Sequence, residues 1–312
     1  MSRSALSVDP LWPRAGDWPS PGTVASGETV DLTLLGIPTW RTSLSVTGAA
    51  ATPEAVRAAL RYYATFTVGD RSARDGRQHR DVGDLRLTDA GDVVEPDGPE
   101  GELRAMRAVA DAVARASLVV AVGGDNALTV PAALGAWGDD LPAAGLVTLD
   151  AHHDLRDGVS NGSPVRRLIE AGLDGRRVVQ IGIADFANSP DYAARAADYG
   201  ITVVHRDELH RRPIDDVMAE AFDIAGAAGG PVHVDLDVDV CDRSVAPGCP
   251  ASVPGGISAW ELRRAARLAG ARPSVRSIDL AEVDATADAP DGRTVRLTAL
   301  CILEAAAGLA TR

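Results

Sequence analysis

Two short stretches of this chain carry side chains that could do chemistry together: Asp150-Ala151-His152-His153-Asp154, and Asp237-Val238-Asp239 followed by Ala246-Pro247-Gly248. The first follows the apolar run Gly145 to Leu149 and the second follows Pro231 to Val234, so both read as buried strands arriving at a polar end. Side chains alternate along a strand, which would put Asp150, His152 and Asp154 on one face and pair Asp237 with Asp239. Four carboxylates and one imidazole near a core are too many charges to leave unpaired; either cations neutralise them or most of them lie in solvent, and cations are the favoured reading. The spacing suits two divalent metal ions, and the chemistry implied is metal-assisted hydrolysis.

The elements that must position these residues alternate regularly. A strand at Val30–Ile37 is followed by Thr52-Pro53-Glu54, an N-cap with proline opening a helix. Further strands are expected at 118–122, 145–149, 178–183, 201–204, 232–238 and 275–283. Helices are expected at 102–116, after Asn126, and at 164–171, 190–199, 213–225, 258–269 and 294–310. Such alternation implies an α/β fold, a parallel sheet with helices on both faces. Ligand sites in open parallel sheets lie beyond the carboxyl ends of the strands, where every candidate motif here falls. Residues 70–100, rich in Asp, Gly, Arg and Pro, read as a long surface excursion with a short strand at Asp81–Leu85. Residues 1–28 read as an irregular N-terminal arm of a single domain spanning 1–312.

Composition narrows the partners. At 312 residues and 46% hydrophobic content the chain can bury a large core. Its formal net charge of -13 would repel a phosphate backbone and an anionic membrane alike, and no basic run offsets it. No stretch approaches the roughly 20 apolar residues of a membrane span, and the N-terminus has no apolar leader core. Cys241, Cys249 and Cys301 form no CxxC pair and no even disulfide set, which fits a reducing, cytoplasmic setting. Cys241 and Cys249 lie close to the second acidic stretch, but carboxylate-rich sites select harder cations than thiolates do. His153 would point away from His152 in an extended strand, and Asp235 would sit about 6 to 7 Å behind Asp237, so neither is read as a ligand. His79, His205, His210 and His233 have no partner at ligand spacing and read as surface or strand residues. Gly255-Gly256 lacks the lysine and preceding strand of a phosphate loop and reads as a turn.

Four motifs occur in order: Gly123-Gly124-Asp125-Asn126; the Asp150 to Asp154 stretch; Asp235 to Asp239 with Asp242 and Ala246-Pro247-Gly248; and Ala281-Glu282-Val283-Asp284. Together they resemble the ureohydrolase family of arginases, agmatinases and formimidoylglutamases, from about Val30 to the C-terminus. Residues 182–189, the segment 160–166 and Trp12-Pro13-Arg14 make the chain most similar to the formimidoylglutamases. The resemblance implies a three-layer α/β/α fold with an eight-stranded, mostly parallel sheet, and two manganese ions (Mn2+) bridged by a hydroxide. By the same resemblance Asp150 and Asp237 bridge the ions, His152 and Asp239 complete one site, and Asp154 serves the other. The chain departs from the family at two positions. Asn126 stands where most members have a histidine ligand, and Asn161 where many carry a histidine before glycine. An amide oxygen is a weaker donor than imidazole, so the Asn126 site is expected to hold its metal less tightly.

The reaction so implied is hydrolysis of a linear amidine C–N bond, with N-formimino-L-glutamate plus water giving glutamate and formamide, a step of histidine degradation, as the leading candidate. Asp154 would relay a proton to the departing nitrogen. Glu282 would pair with the amidinium through two parallel N–H bonds. Asn161 is expected to line the substrate site, and Arg166, ahead of Arg156 and Arg167, to bind the glutamate carboxylates. The partner is a small amidine or guanidino molecule rather than nucleic acid or membrane, and the protein is expected to be a homo-oligomer. Two alternatives stand beside this reading: a guanidino hydrolase releasing urea from agmatine or guanidinobutyrate, and an inactive binding or regulatory homologue.

Overall fold

A computed structural model of the protein describes residues 8–25, 28–68 and 79–312. Its strands, in chain order, are β1 (Val30–Ile37), β2 (Phe66–Val68), β3 (His79–Asp81), β4 (Leu87–Asp92), β5 (Ala116–Gly123), β6 (Gly145–Leu149), β7 (Val178–Ile183), β8 (Thr202–His205), β9 (Val232–Asp237) and β10 (Val275–Ala281). The helices are α1 (Thr52–Leu60), α2 (Gly101–Val113), α3 (Thr129–Trp137), α4 (Pro164–Ala171), α5 (Pro190–Tyr199), α6 (Arg206–Leu209), α7 (Ile214–Ala225), α8 (Ala259–Ala271) and α9 (Arg293–Leu309).

Eight of the strands join in one sheet, ordered β4-β1-β5-β10-β9-β6-β7-β8, and every pairing within it is parallel. A parallel sheet needs cover on both faces, which is why β6, β7 and β9 are buried along their whole length. On one face α1, α7, α8 and α9 pack on Leu32, Leu34, Val120, Val147, Val234 and Ile278. On the other, α2 and α3 pack on Leu35, Ile37 and Ala121, and α3, α4 and α5 on Leu146 and Val178. The architecture is therefore the three-layer α/β/α arrangement the alternation implied. Among the described residues no helix is long and apolar enough to cross a membrane.

The largest departure from the sequence reading is the edge strand β4, which lies inside the segment read as a surface excursion. Its residues Asp89, Ala90, Gly91 and Asp92 are poor strand formers. What holds it is its pairing with β1 and Arg57 of α1, which reaches over the edge to the carboxylates of Asp89 at 2.6 Å and Asp92 at 2.5 Å. The short strand expected at Asp81–Leu85 instead ends at Asp81. There the Asp81 side chain accepts a bond from Gly83 N (2.7 Å) and starts a one-turn 3-10 helix over Val82–Asp84. Part of the excursion, residues 69–78, lies outside the described residues, as does the side chain of His79. The described part of the N-terminal arm lies against the domain, with Ala15 buried and Arg14 bridging to Ala64.

Candidate metal centre

Four adjacent strands, β5, β10, β9 and β6, deliver the candidate residues at their carboxyl ends. After β5 the chain turns at Gly123-Gly124. A Cβ on Gly124 would lie 1.9 Å from Thr39 O, so only glycine lets these backbones meet, and Asp125 N then donates to Thr39 O at 2.9 Å. Asn126 follows in a one-turn 3-10 helix capped by Asp125. Glu282 follows β10, Asp237 closes β9, and Asp150 follows β6.

Strand alternation does not set the geometry that follows. β6 stops at Leu149, and residues 150–154 run irregularly. β9 stops at Asp237, whose carboxylate accepts from Asp239 N at 2.8 Å and winds Val238–Val240 into a 3-10 turn. Asp154 (φ 53°) and Glu282 (φ 58°) both adopt the left-handed backbone conformation that non-glycine residues rarely take. Such conformations cost about 1–3 kcal/mol each and persist where the surroundings over-determine them. Turns, rather than pleating, converge the side chains.

His152 Nδ1 lies 2.7 Å from Asp239 Oδ2 and 3.5 Å from Asp150 Oδ1, and the three residues offer ligand atoms all within 4.8 Å of one another. Ala151 N donates to Asp239 Oδ1 at 2.9 Å and His152 N to Asp150 Oδ1 at 2.6 Å. Asn126 Nδ2 donates to Asp154 Oδ2 at 2.6 Å, while Thr129 Oγ1 donates to Asn126 Oδ1 at 2.6 Å. Half a turn of that amide exchanges its nitrogen and oxygen, and the Thr129 hydroxyl can accept as readily as donate. The Asn126 oxygen can therefore face Asp154 when a cation or a proton stands between the two oxygens. Glu282 Oε1 accepts from Asn126 N (2.9 Å) and Asn161 Nδ2 (2.6 Å), and Asn161 Oδ1 accepts from Leu44 N (3.0 Å).

Asp150, Asp154, Asp237, Asp239 and Glu282 are each at most 7% exposed. Burial, with mutual repulsion, pushes the Asp150 carboxyl up to about 7 and those of Asp154 and Asp237 well above the usual carboxylate range. Burial also lifts Glu282 to about 7, against the pull of Asn161 and the Asn126 N–H. Burial works to lift Asp239 too, but the adjacent His152 outweighs it and holds that carboxyl low. For His152, burial is outweighed by Asp239 and Asp150, which push the imidazole up to about 12. The one buried carboxylate oxygen of this group left without a hydrogen-bond partner is Asp150 Oδ2. An excess of buried acid with an orphaned oxygen in its midst is what a divalent cation would relieve, so the donor set fits a hard metal.

The structure also separates residues the sequence could not. His153 bonds Gln180 Oε1 of β7 at 2.7 Å, and burial keeps its imidazole pKa low. Asp235 is fully buried, with its carboxyl pushed well up by burial and by Asp279. His233, read as a surface or strand residue, is a core residue at 0% exposure whose Nδ1 pairs with Ser277 Oγ at 2.6 Å and Nε2 with Asp279 Oδ2 at 2.9 Å. His205 and His210 are exposed, and Pro254-Gly255 forms the turn expected before α8. The Cys241 and Cys249 thiols are fully buried, and burial pushes both well up, so neither offers a thiolate. Asp284 accepts from Gly48 N at 2.7 Å and Thr286 N at 2.8 Å, which makes it a loop anchor.

The choice of Arg166 for substrate carboxylates needs correction. Arg166 is 9% exposed, and its guanidinium holds Arg156 O at 2.6 Å, Gly158 O and the Glu170 carboxylate. Its charge is spent fixing the 156–158 loop. Arg156, which that loop presents, is exposed and lines a cavity of about 390 Å³ shared with His152, Asp154, Asn161, Asp237 and Glu282. No carboxylate lies within ion-pair distance of it among the described residues; its guanidinium lies 5.9 Å from the Tyr192 ring. Phe186 and Asn188, on the loop after β7, close another side of the cavity. Asn188 Oδ1 accepts from His153 N at 3.0 Å and its Nδ2 donates to Ala151 O at 2.9 Å, tying that loop to the acidic stretch.

A parallel α/β/α sheet with buried acids and one histidine gathered at adjacent strand ends defines a metal-dependent hydrolase of the arginase type. Residues 30–308 match the arginase family. The chain is 31% identical over 264 residues to the formimidoylglutamase of Halalkalibacterium halodurans, covering 82% of this chain and 80% of that one. It is 35% identical over 207 residues to the guanidinopropionase of Pseudomonas aeruginosa, covering 61% and 62%. The crystal structure of formimidoylglutamase from Bacillus subtilis superposes with a TM-score of 0.85 at 26% identity, covering 99% of this chain and 96% of that one. Trypanosoma cruzi formiminoglutamase with two Mn2+ superposes with a TM-score of 0.79 at 26% identity, covering 91% and 94%. The chain belongs to the arginase family, and its reaction class is hydrolysis of a linear amidine C–N bond.

Proposed function

We propose that this protein hydrolyses N-formimino-L-glutamate to L-glutamate and formamide, using two manganese ions held by Asp150, His152, Asp154, Asp237, Asp239 and Asn126. The observation that carries this reading over other amidines is Arg156: an exposed guanidinium without an acidic partner at the cavity that holds the acid cluster. An anionic substrate tail supplies the missing partner, whereas a cationic tail such as that of agmatine meets like charge.

Bound there, the metals would supply a hydroxide-like nucleophile near neutral pH by acidifying a water. The rest is done by the chain's own side chains. Glu282 Oε1 is already saturated by Asn126 N and Asn161 Nδ2, so Oε2 is the atom left to accept amidinium N–H groups. The fork of two parallel bonds expected from the sequence thus becomes a single-oxygen contact. Asn161, with its own oxygen fixed by Leu44 N, orients Glu282 while lining the cavity. Asp154 accepts a proton from the attacking water and delivers it to the departing amine nitrogen, so that C–N cleavage releases glutamate rather than its strongly basic amide anion. With metals bound beside it, Asp154 would hold a proton less tightly than burial alone makes it do, which suits a group that must both take and give one.

Likeness to the guanidinopropionase keeps a second reading in view. A guanidino acid would present the same carboxylate to Arg156 and differ at the reacting carbon, releasing urea. Product identification by mass spectrometry with formiminoglutamate, guanidinopropionate, guanidinobutyrate, agmatine and arginine side by side tests the proposal. Formamide from the first at the highest kcat/KM supports it; urea from a guanidino acid as the dominant product refutes it.

A further inference from the structure

At the end of the sheet opposite the metal centre lies a second cavity, of about 340 Å³, lined by Thr29, Arg115, Ser117, Pro273, Arg276 and Arg312, with neighbouring backbone. It sits where β5 and β10 begin, and the same two strands end at the Gly123-Gly124-Asp125-Asn126 turn and at Glu282. β5 has eight residues, so about 25 Å separates the two ends.

Arg276 and Arg312 are bonded to backbone carbonyls rather than to side-chain carboxylates. Arg276 Nη2 donates to Val113 O at 3.0 Å and Ala116 O at 3.2 Å, and its Nε is buried with no acceptor at all. Arg312 donates through Nε to Gly270 O (2.8 Å), through Nη2 to Val275 O (2.8 Å) and through Nη1 to Ser117 O (3.4 Å). Carbonyl oxygens orient a guanidinium but carry no net charge. No Asp or Glu side chain among the described residues lies within ion-pair distance of Arg115, Arg276 or Arg312, in a chain whose formal net charge is -13. Most other arginines with solvent-accessible charge do have such partners, Arg57, Arg167, Arg195 and Arg264 among them. Burial, with a smaller contribution from the nearby Arg276, lowers the Arg312 guanidinium pKa to about 10.

We infer that this cavity is a binding site for a compact tetrahedral oxyanion, a free phosphate or the phosphoryl group of a small phosphomonoester. The fixed carbonyl bonds pre-orient the two guanidinium planes, and the remaining N–H groups with the Thr29 and Ser117 hydroxyls supply the donors such an anion needs. Its volume suits a small molecule rather than a polymer.

The test is the melting temperature of the manganese-loaded protein as sulfate is raised at constant ionic strength made up with chloride. Sulfate is the probe because it has the charge and shape of the ligand without chelating manganese strongly. The expected result is a saturable rise whose midpoint moves upward about tenfold in Arg276→Gln and in Arg312→Gln, as the loss of a charge-assisted bond implies. Arg115→Gln changes an exposed side chain and keeps the test decisive should Arg276→Gln fail to fold; it should move the midpoint in the same direction. Repeating the titration with inorganic phosphate and with glycerol 2-phosphate tells the two sources of the phosphoryl group apart, and tighter binding of either supports the site. A rise that does not saturate and is identical in the variants is the general effect of sulfate on protein hydration and overturns the inference. So does a stabilisation that depends on protein concentration and is lost with the arginines, which would assign the cluster to an acidic surface of a second copy.

Discussion

Asp150→Asn should make the metal-free protein more stable at about pH 8 while weakening its hold on the metal pair, because a bridging position needs two ligating oxygens and an amide offers one. Burial lifts the Asp150 carboxyl from 3.8 to about 7, and every tenfold loss of acidity on folding corresponds to about 1.4 kcal/mol. Below about pH 4 both folded and unfolded chains keep the proton and nothing is lost. Between about 4 and 7 the unfolded chain gives up a proton that the folded one retains, so stability falls as pH rises and levels off above 7 at a cost of about 4 kcal/mol. Asparagine does not titrate and escapes that cost. Its Oδ1 keeps the bond from His152 N, and its amide nitrogen replaces an oxygen that already lacks a partner. Part of the gain is returned because Asp150 also supports the His152 charge. That loss is limited, since Asp239 is the closer partner at 2.7 Å against 3.5 Å. The net expectation is a gain of about 2–4 kcal/mol at about pH 8 and under about 2 kcal/mol at about pH 5. Urea unfolding of chelator-stripped wild type and variant at both pH values measures it, and in excess manganese the order should reverse because the wild type gains more from binding. A variant no more stable than wild type at the higher pH, or a difference independent of pH, would refute the account of this cluster as charge held in wait for metal.

Asp154→Asn should retain most of the bound manganese, because an amide oxygen can still ligate, but lose about 100- to 10,000-fold in kcat because it cannot take a proton; near wild-type turnover would remove the relay role. Asn126→His should keep more manganese after dialysis than wild type, imidazole being the better donor, and unchanged content by metal analysis would mean that residue 126 does not touch the metal. Arg156→Gln should raise KM for formiminoglutamate about tenfold with kcat little changed. Arg166→Gln should instead lower the melting temperature through loss of its bonds to Arg156 O, Gly158 O and Glu170, and the opposite pattern in steady-state kinetics and thermal melts would restore Arg166 to the substrate.

The order of motifs was readable because each is local. An apolar run ending in acids marks a strand end at Leu149 and at Asp237 whatever packs around it, and helix starts such as Ser189-Pro190 and Ser258 with Glu261 are announced by capping chemistry within a few residues. Alternation of strands and helices then required a parallel sheet, and a parallel sheet puts its site at the carboxyl ends. Other features depend on contacts that sequence order does not report. β4 is a strand because β1 pairs with it and Arg57 holds its edge, against the preference of its own residues. His233 looked like any strand histidine, yet its acceptor and donor, Asp279 and Ser277, come from β10, a strand adjacent in space and about 45 residues away in the chain. Asp154 and Glu282 reach the cavity through left-handed backbone that no periodicity encodes. Arg156 and Arg166 are of one type and ten residues apart, and sequence alone put Arg166 first. Only the folded loop shows that the second is consumed in holding the first, because an arginine's role is set by which acceptors lie around its guanidinium, and those are decided by tertiary structure.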